Sequence, residues 1–167
     1  MVLRTNLIWA ATVMLMALLE AQWPYLLRVQ GVVPQLVLIL VVYFAIVDGE
    51  ERAMFTGLLG GIFQEVATDE TLGHRVICLV LLGYVAGSMS RRLITENPAV
   101  KAGAVFVASV IHGFIYLCID YVQRPGLSNV SGQLAALLPQ AFYTALVTPL
   151  LFALLAVSPM PQHRRAV

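Results

Sequence analysis

The sequence predicts an all-α integral membrane protein with six transmembrane helices, and three observations support this. Of its 167 residues, 60 % are hydrophobic and only 11 % are charged, whereas soluble domains carry about 25 % charged residues. Its apolar residues are grouped into segments near the length of a membrane span, separated by short polar stretches. Glycines also recur at helical spacing within two of the segments. We treat residues 1–167 as a single transmembrane domain with predicted spans at about 5–23, 32–47, 52–68, 72–90, 99–122 and 131–157.

The first segment is long enough to cross a hydrocarbon core of about 30 Å at about 1.5 Å per residue. Arg4 and the apolar run after it also fit a signal peptide, but Glu20 and Gln22 stand where a cleavage site needs small residues. We therefore expect a retained helix. The second segment begins with Pro34, which a first helical turn tolerates, followed directly by Gln35.

The third and fourth segments form a predicted hairpin whose helices carry small residues at four-residue spacing. Gly57, Gly61 and Glu65 fall on one face of the third helix, and Gly83 and Gly87 do the same on the fourth. Such strips let another helix backbone approach closely. We expect them to serve helix packing or partner contact. For Glu65 an interfacial carboxylate and a role in ion or proton handling remain alternatives.

The polar residues of the fifth segment fall on one helical face and predict an interhelical hydrogen-bond seam of Ser109, His112, Tyr116 and Asp120. A proton relay or a metal ligand is the alternative for His112. We favour a hydrogen-bonded histidine and no metal, because no second His, Cys or carboxylate stands beside it at ligand spacing.

The sixth segment contains Pro139 and Pro149, which predict either one kinked helix or an interfacial helix followed by a span that begins near Gln140. Two cysteines, Cys78 and Cys118, lie in apolar runs without metal-ligand spacing, and we expect both to be buried.

Six spans place both termini on one side of the membrane, and the basic residues indicate which side. With cytoplasmic termini, seven of the ten Lys and Arg residues lie inside and three outside. Those inside are Arg4, Arg52, Arg91, Arg92, Lys101, Arg164 and Arg165, and those outside are Arg28, Arg75 and Arg124. The positive-inside rule therefore predicts cytoplasmic termini.

Charge and motifs narrow the function classes. A net charge of +1 with scattered basic residues gives no indication of nucleic-acid binding. The sequence contains no phosphate-binding loop, zinc-ligand helix, nucleophile elbow or paired carboxylates. We therefore expect a protein that is not an enzyme, needs no cofactor, and acts by binding a protein, carrying a ligand or moving a solute.

Several of these features together resemble the rod shape-determining protein MreD family. They are Pro34-Gln35 with the apolar run to Tyr43, the Gly57, Gly61 and Glu65 series, Leu72-Gly73, Gly83-Tyr84 with Gly87, and the run from Pro149 to Phe152. The family usually has an aspartate directly after the first proline, and here Gln35 takes that place. Glu65 stands where the family has a second aspartate and keeps an acid there.

The resemblance implies a non-catalytic subunit of the bacterial cell-elongation complex, which builds peptidoglycan, in the inner (plasma) membrane. Its implied partners are the single-span protein MreC and, through it, the glycosyltransferase RodA, a class B penicillin-binding protein and the MreB filament. It also implies a fold similar to the substrate-binding components of energy-coupling-factor transporters. The alternative function is therefore binding of a vitamin-like molecule, with Ala17 and Ala21 docking a coupling protein. We favour the assembly subunit, because outside the His112 seam the sequence offers few polar groups for a ligand pocket.

Overall fold

The computed structural model of the chain describes residues 2–28, 31–68, 73–90, 97–123 and 130–157. Over these residues the chain is all-helical. It forms α1 (Val2–Ala21), a 3₁₀ turn (Tyr25–Leu27), α2 (Leu36–Val47), α3 (Glu50–Thr68), α4 (His74–Ser90), α5 (Pro98–Gln123) and α6 (Val130–Val157).

The central element of the bundle is α2. Its first ten residues, Leu36 to Ala45, are all buried, and α2 packs against each of the other five helices. A helix that is apolar on every side has no polar face for water, so it is stable only in the middle of a larger structure. Most of the hydrophobic core is consequently built around this one helix.

The other five helices surround α2 in the order α1, α3, α4, α5, α6, with each helix contacting the next. This order places the hairpin of α3 and α4 beside α1, and the hairpin of α5 and α6 on the other side. Within the described ranges, no Cα atom of α1 lies within 8 Å of a Cα atom of α6. The ring of outer helices is therefore open between its first and last members.

Large apolar side chains cover the outside of all five outer helices. On α6, the exposed residues recur every four positions, which places them along one helical face. Soluble monomers rarely expose apolar patches this extensive, whereas lipid-facing surfaces consist of such side chains. Examples are Leu15 and Leu19 on α1, Phe55 and Val66 on α3, Ile77 and Met89 on α4, Val107 and Phe114 on α5, and Leu138, Phe142, Leu146, Leu150 and Leu154 on α6.

Two helices of the described residues are long and apolar enough to cross a membrane on their own. They contain Ala99–Val122, with a mean hydropathy of 2.1, and Val130–Leu155, with 1.6. Shorter apolar helical stretches occur in α1, α2 and α4. With twelve residues, α2 is only about 18 Å long.

The helix limits differ from the sequence interpretation at the start of α2. Pro34 was expected in the first helical turn, but the helix begins at Leu36, and Pro34 lies in the irregular stretch before it. The Leu36 N–H donates to the Pro34 carbonyl at 3.1 Å, and Gln35 has φ −84° and ψ 83°, so the chain makes an inverse γ-turn at Gln35 instead of a first helical turn at Pro34. Side chains of α6 also supply hydrogen bonds to this stretch, so a longer helix is not required to satisfy its backbone.

Two further expectations have clear outcomes. Of the two possibilities for the last segment, the structure shows a single helix, α6, with Pro139 and Pro149 inside it. The expectation that both cysteines are buried is correct for Cys78 and wrong for Cys118, which is exposed, and both thiols are free. Cys118 lies on the outer surface of the bundle. An apolar side chain of a membrane protein can face lipid there, so its apolar neighbours in the sequence did not imply burial inside the protein.

Candidate functional site

Polar side chains from α1, α3, α4, α5 and α6, together with Gln35 directly before α2, meet at one end of the bundle, where α1, α3 and α5 end and α2, α4 and α6 begin. Two of them are carboxylates placed at helix N-termini. The first four backbone N–H groups of a helix have no partner within the helix, and the helix dipole makes this end favourable for negative charge. Glu20 and Glu65 each occupy such a position.

Glu20, near the end of α1, serves the start of α2. Its Oε2 atom accepts a hydrogen bond of 2.9 Å from the Val37 backbone N–H. The irregular stretch before α2 is hydrogen-bonded to α6: the Gln35 N–H donates to Thr144 Oγ1 at 3.2 Å, and the Val33 carbonyl accepts from Gln140 Nε2 at 3.3 Å. Irregular backbone inside a membrane protein needs such partners from neighbouring helices.

Glu65 does for α4 what Glu20 does for α2. Its two carboxylate oxygens accept hydrogen bonds from the backbone N–H groups of Gly73 at 2.6 Å, Arg75 at 2.6 Å and Val76 at 3.2 Å. The residue is only 2 % exposed, so its side chain does not reach an aqueous interface. Gly73 has a φ of +100°, a left-handed conformation that suits glycine and turns the chain back toward the carboxylate.

The two glycine strips face each other in the contact between α3 and α4. A Cβ atom built on Gly57 would lie 2.6 Å from the Leu79 carbonyl oxygen, and one on Gly61 would lie 2.8 Å from the Val76 Cα. From the other side, a Cβ on Gly83 would lie 2.8 Å from the Ala53 backbone, and one on Gly87 would meet Glu50. These positions are occupied by close packing within the chain.

Each residue of the expected polar seam on α5 contacts either another helix or Gln35, which lies directly before α2. The Ser109 hydroxyl donates to Gln35 Oε1 at 2.7 Å, and Gln35 Nε2 lies 3.3 Å from His112 Nδ1. Tyr116 stacks on the ring of His74 in α4, with centroids 4.1 Å apart. Asp120 Oδ2 accepts a bond of 3.2 Å from Gln133 Nε2 of α6. The seam therefore joins α5 to three other parts of the bundle.

The hydrogen bonds of Gln35 fix the state of His112. Because Ser109 donates to Gln35 Oε1, the amide nitrogen of Gln35 faces His112 Nδ1 and donates to it. Nδ1 is then an acceptor, and a neutral imidazole carries its proton on Nε2. This Nε2 atom is buried and has no hydrogen-bond partner within the described residues.

A partly open cavity of about 220 Å³ lies between these groups. Its polar lining consists of Glu20, Gln35, Gln64, Arg75, His112, Tyr116, Gln133 and Gln140, and its apolar lining of Leu38, Leu79, Gly113, Ala136 and Leu137. Another buried atom, Gln133 Oε1, also lacks a partner among the described residues. The expectation that the sequence offers few polar groups for a pocket is therefore wrong.

Sequence reasoning had not grouped Glu20, Gln64, Gln133 and Gln140 with His112. Glu20 and Gln64 lie near the ends of the first and third apolar segments, and Gln133 and Gln140 lie in the first part of the sixth. The sequence carried one signal that could have grouped them: they all lie toward the same predicted side of the membrane. No group of three or more His, Cys, Asp and Glu side chains suited to a metal ion occurs in the described part of the chain.

No curated protein and no solved structure matches the chain. The model of the family described as rod shape-determining protein MreD matches residues 2–157, which is nearly the whole chain and includes every element described above. The chain therefore belongs to the MreD family, the membrane proteins of the system that determines rod shape.

Proposed function

We propose that the chain is a non-catalytic, six-span subunit of the bacterial cell-elongation complex in the inner membrane. It binds an MreC-type single-span protein and, through it, the RodA glycosyltransferase, a class B penicillin-binding protein and the MreB filament. Family membership supports the role in rod shape. The named partners follow from the family resemblance and are part of the proposal.

The observation that carries the six-span arrangement is the apolar outer surface of the bundle. Apolar side chains are exposed on α1, α3 and α4 as well as on the two longest helices, α5 and α6. Lipid covers such a surface without cost, whereas water does not. The short α2 needs no lipid contact, because the other helices cover it. The irregular residues before α2 continue the chain from its N-terminus toward the proposed outer side of the membrane.

The same surface favours a partner that binds within the membrane. Helices associate in lipid through close packing and a few polar bonds, so their contacts depend little on exposed charge. We therefore expect the complex with the single-span partner to survive purification at high salt. A contact made mainly by charged side chains, for which the sequence offers Arg91 and Arg92 outside the described residues, would weaken under these conditions.

Depletion of the protein in a rod-shaped host tests the proposal. We expect the cells to widen and become round, and the single-span partner to lose its normal position or abundance. Re-expression of the intact chain should restore rods. Normal rods after depletion, with the partner unchanged, would contradict the assembly role.

A second candidate function is favoured by the cavity. A six-helix bundle with a polar cavity is also what a vitamin-like binding subunit of an energy-coupling-factor-type transporter needs. The expected docking surface for a coupling protein is wrong at Ala17, which is completely buried, whereas Ala21 is partly exposed. Depletion distinguishes the two functions: loss of a transporter subunit would leave cell shape normal in rich medium and create a requirement for one nutrient.

A further inference from the structure

We propose that the cavity of about 220 Å³ is a binding site for a small, uncharged, polar molecule that has at least one hydrogen-bond acceptor and one donor. This site goes beyond the assembly role and does not depend on it. The cavity is central to the fold, since residues from all six helices line it. An occupant would contact every helix of the bundle at once.

The size of the cavity sets the scale of the ligand. An engineered apolar cavity of about 150 Å³ in another protein binds benzene, and one water molecule accounts for about 30 Å³ of liquid. A volume of about 220 Å³ is therefore sufficient for a single substituted six-membered ring. The apolar walls formed by Leu38, Leu79 and Leu137 suit the faces of such a ring.

Two unpartnered atoms give the ligand its hydrogen-bond pattern. His112 Nε2, which carries the imidazole proton, is a donor, and Gln133 Oε1 is an acceptor. Both atoms are buried, and buried polar atoms in native proteins nearly always have a partner. A ligand that accepts from His112 and donates to Gln133 would satisfy both.

The charges around the cavity favour a ligand with no net charge. Its lining contains one carboxylate, Glu20, and one guanidinium, Arg75, which attract each other. Glu20 is also bonded to the Val37 N–H at the start of α2 and to the side chain of Gln64. Glu20 therefore already has partners within the protein, and so does Arg75, so an ionic ligand would bring an unpaired charge into the bundle at a high cost.

Benzamide is a suitable probe, because it is neutral and joins one aromatic ring to one carbonyl acceptor and one amide donor. We suggest equilibrium dialysis of radiolabelled benzamide against the purified full-length chain in mild detergent. Ala136 lines the cavity, whereas its neighbour Ala135 is exposed. Ala136→Leu and Ala135→Leu therefore form a matched pair that differs only in whether the added side chain fills the cavity.

The expected result is saturable binding of one benzamide per chain to the wild type and to Ala135→Leu. Binding should weaken at least tenfold in Ala136→Leu, and also in His112→Phe, which keeps a ring but loses the donor. His112→Phe is needed in case Ala136→Leu fails to fold. Absence of saturable binding to the wild type would show that the cavity holds water only. Equal binding to all four proteins would show that benzamide binds outside the cavity. Either result overturns the proposal. Neither bears on the depletion experiment.

Discussion

The carboxylate of Glu65 shows how one charged residue is accommodated in an apolar bundle. It accepts hydrogen bonds from three backbone N–H groups at the start of α4 and is almost completely buried. Hydrogen bonds to an ionised acceptor are stronger than those between neutral groups. A charge that is costly in lipid therefore stabilises the turn between α3 and α4.

We predict that Glu65→Gln destabilises the protein and that Glu65→Lys destabilises it much more. Glutamine keeps one acceptor oxygen, but its amide group presents donors to backbone donors. Losing one or two bonds to a charged acceptor costs about 1.5–3 kcal/mol each. Lysine removes both acceptors and adds a positive charge at the positive end of a helix dipole.

Thermal unfolding in detergent measures these effects. Glu51→Gln is the control, because Glu51 lies on the same helix but is exposed, and its unfolding temperature should be close to that of the wild type. A Glu65→Lys protein that unfolds at the same temperature as the wild type would show that the three N–H bonds do not stabilise the fold.

Individual polar residues were only partly interpretable from the sequence. The four seam residues could be grouped, because they share one helical face and local periodicity is visible in a single segment. Glu20 and Gln140 could not be assigned partners, because their bonds to residues 37 and 33 depend on how separate helices pack. The helix-capping role of Glu65 was missed for a related reason: its partners lie across a turn, on the next helix.

At the scale of helices, the contact between α3 and α4 depends on backbones that approach each other at glycines. The strips on both helices were visible in the sequence from their four-residue spacing. Their partners were not, since a small-residue strip fits a neighbouring helix of the same chain as well as one of another protein. The structure places the two strips against each other.

We predict opposite effects of alanine at two helical glycines. At Gly57 the added methyl group would lie 2.6 Å from the Leu79 carbonyl oxygen, and a backbone atom cannot move aside easily. At Gly103 nothing lies within 4 Å of the added atom, so the gain in helix propensity, about 0.5–1 kcal/mol, is realised in full.

Gly57→Ala should therefore unfold at a lower temperature than the wild type, and Gly103→Ala at the same temperature or a higher one. The pair is matched, because both changes add one methyl group to a glycine inside a long helix. A Gly57→Ala protein as stable as Gly103→Ala would mean that α3 and α4 are not in close contact.

Helix limits were predictable where apolar segments end at polar clusters, as at Asp48, which follows α2 directly. The start of α2 was not, because Val32 and Val33 continue the apolar pattern without being helical. Gln140 of α6 donates to the Val33 carbonyl, and Thr144 of α6 accepts from the Gln35 N–H, so these backbone groups have partners outside a helix. These long-range contacts leave no trace in the local sequence.

For the molecule as a whole, the buried polar residues are concentrated at one end of the bundle, and the positive-inside rule predicts on which side of the membrane that end lies. The cavity and both carboxylate caps lie at the end of the bundle that contains Arg75, which the positive-inside rule assigns to the outside. The opposite end contains Arg52, whose guanidinium lies 4.8 Å from the ring of Trp9. The proposed orientation therefore places the candidate ligand site in the outer half of the membrane.

Cysteine labelling tests this orientation. Leu26, in the 3₁₀ turn after α1, is 95 % exposed, and Glu51, in the first turn of α3, is exposed at the other end of the bundle. A cysteine would be introduced at position 26 or at position 51, one at a time, into a chain with Cys78 and Cys118 replaced by alanine, because Cys118 is itself exposed.

We expect a membrane-impermeant thiol reagent added to intact cells to label Leu26→Cys and not Glu51→Cys. Glu51→Cys should react once the membrane is permeabilised, which shows that its thiol is accessible. The reverse pattern would place the termini outside, and labelling of both positions in intact cells would rule out six spans with these two turns on opposite sides.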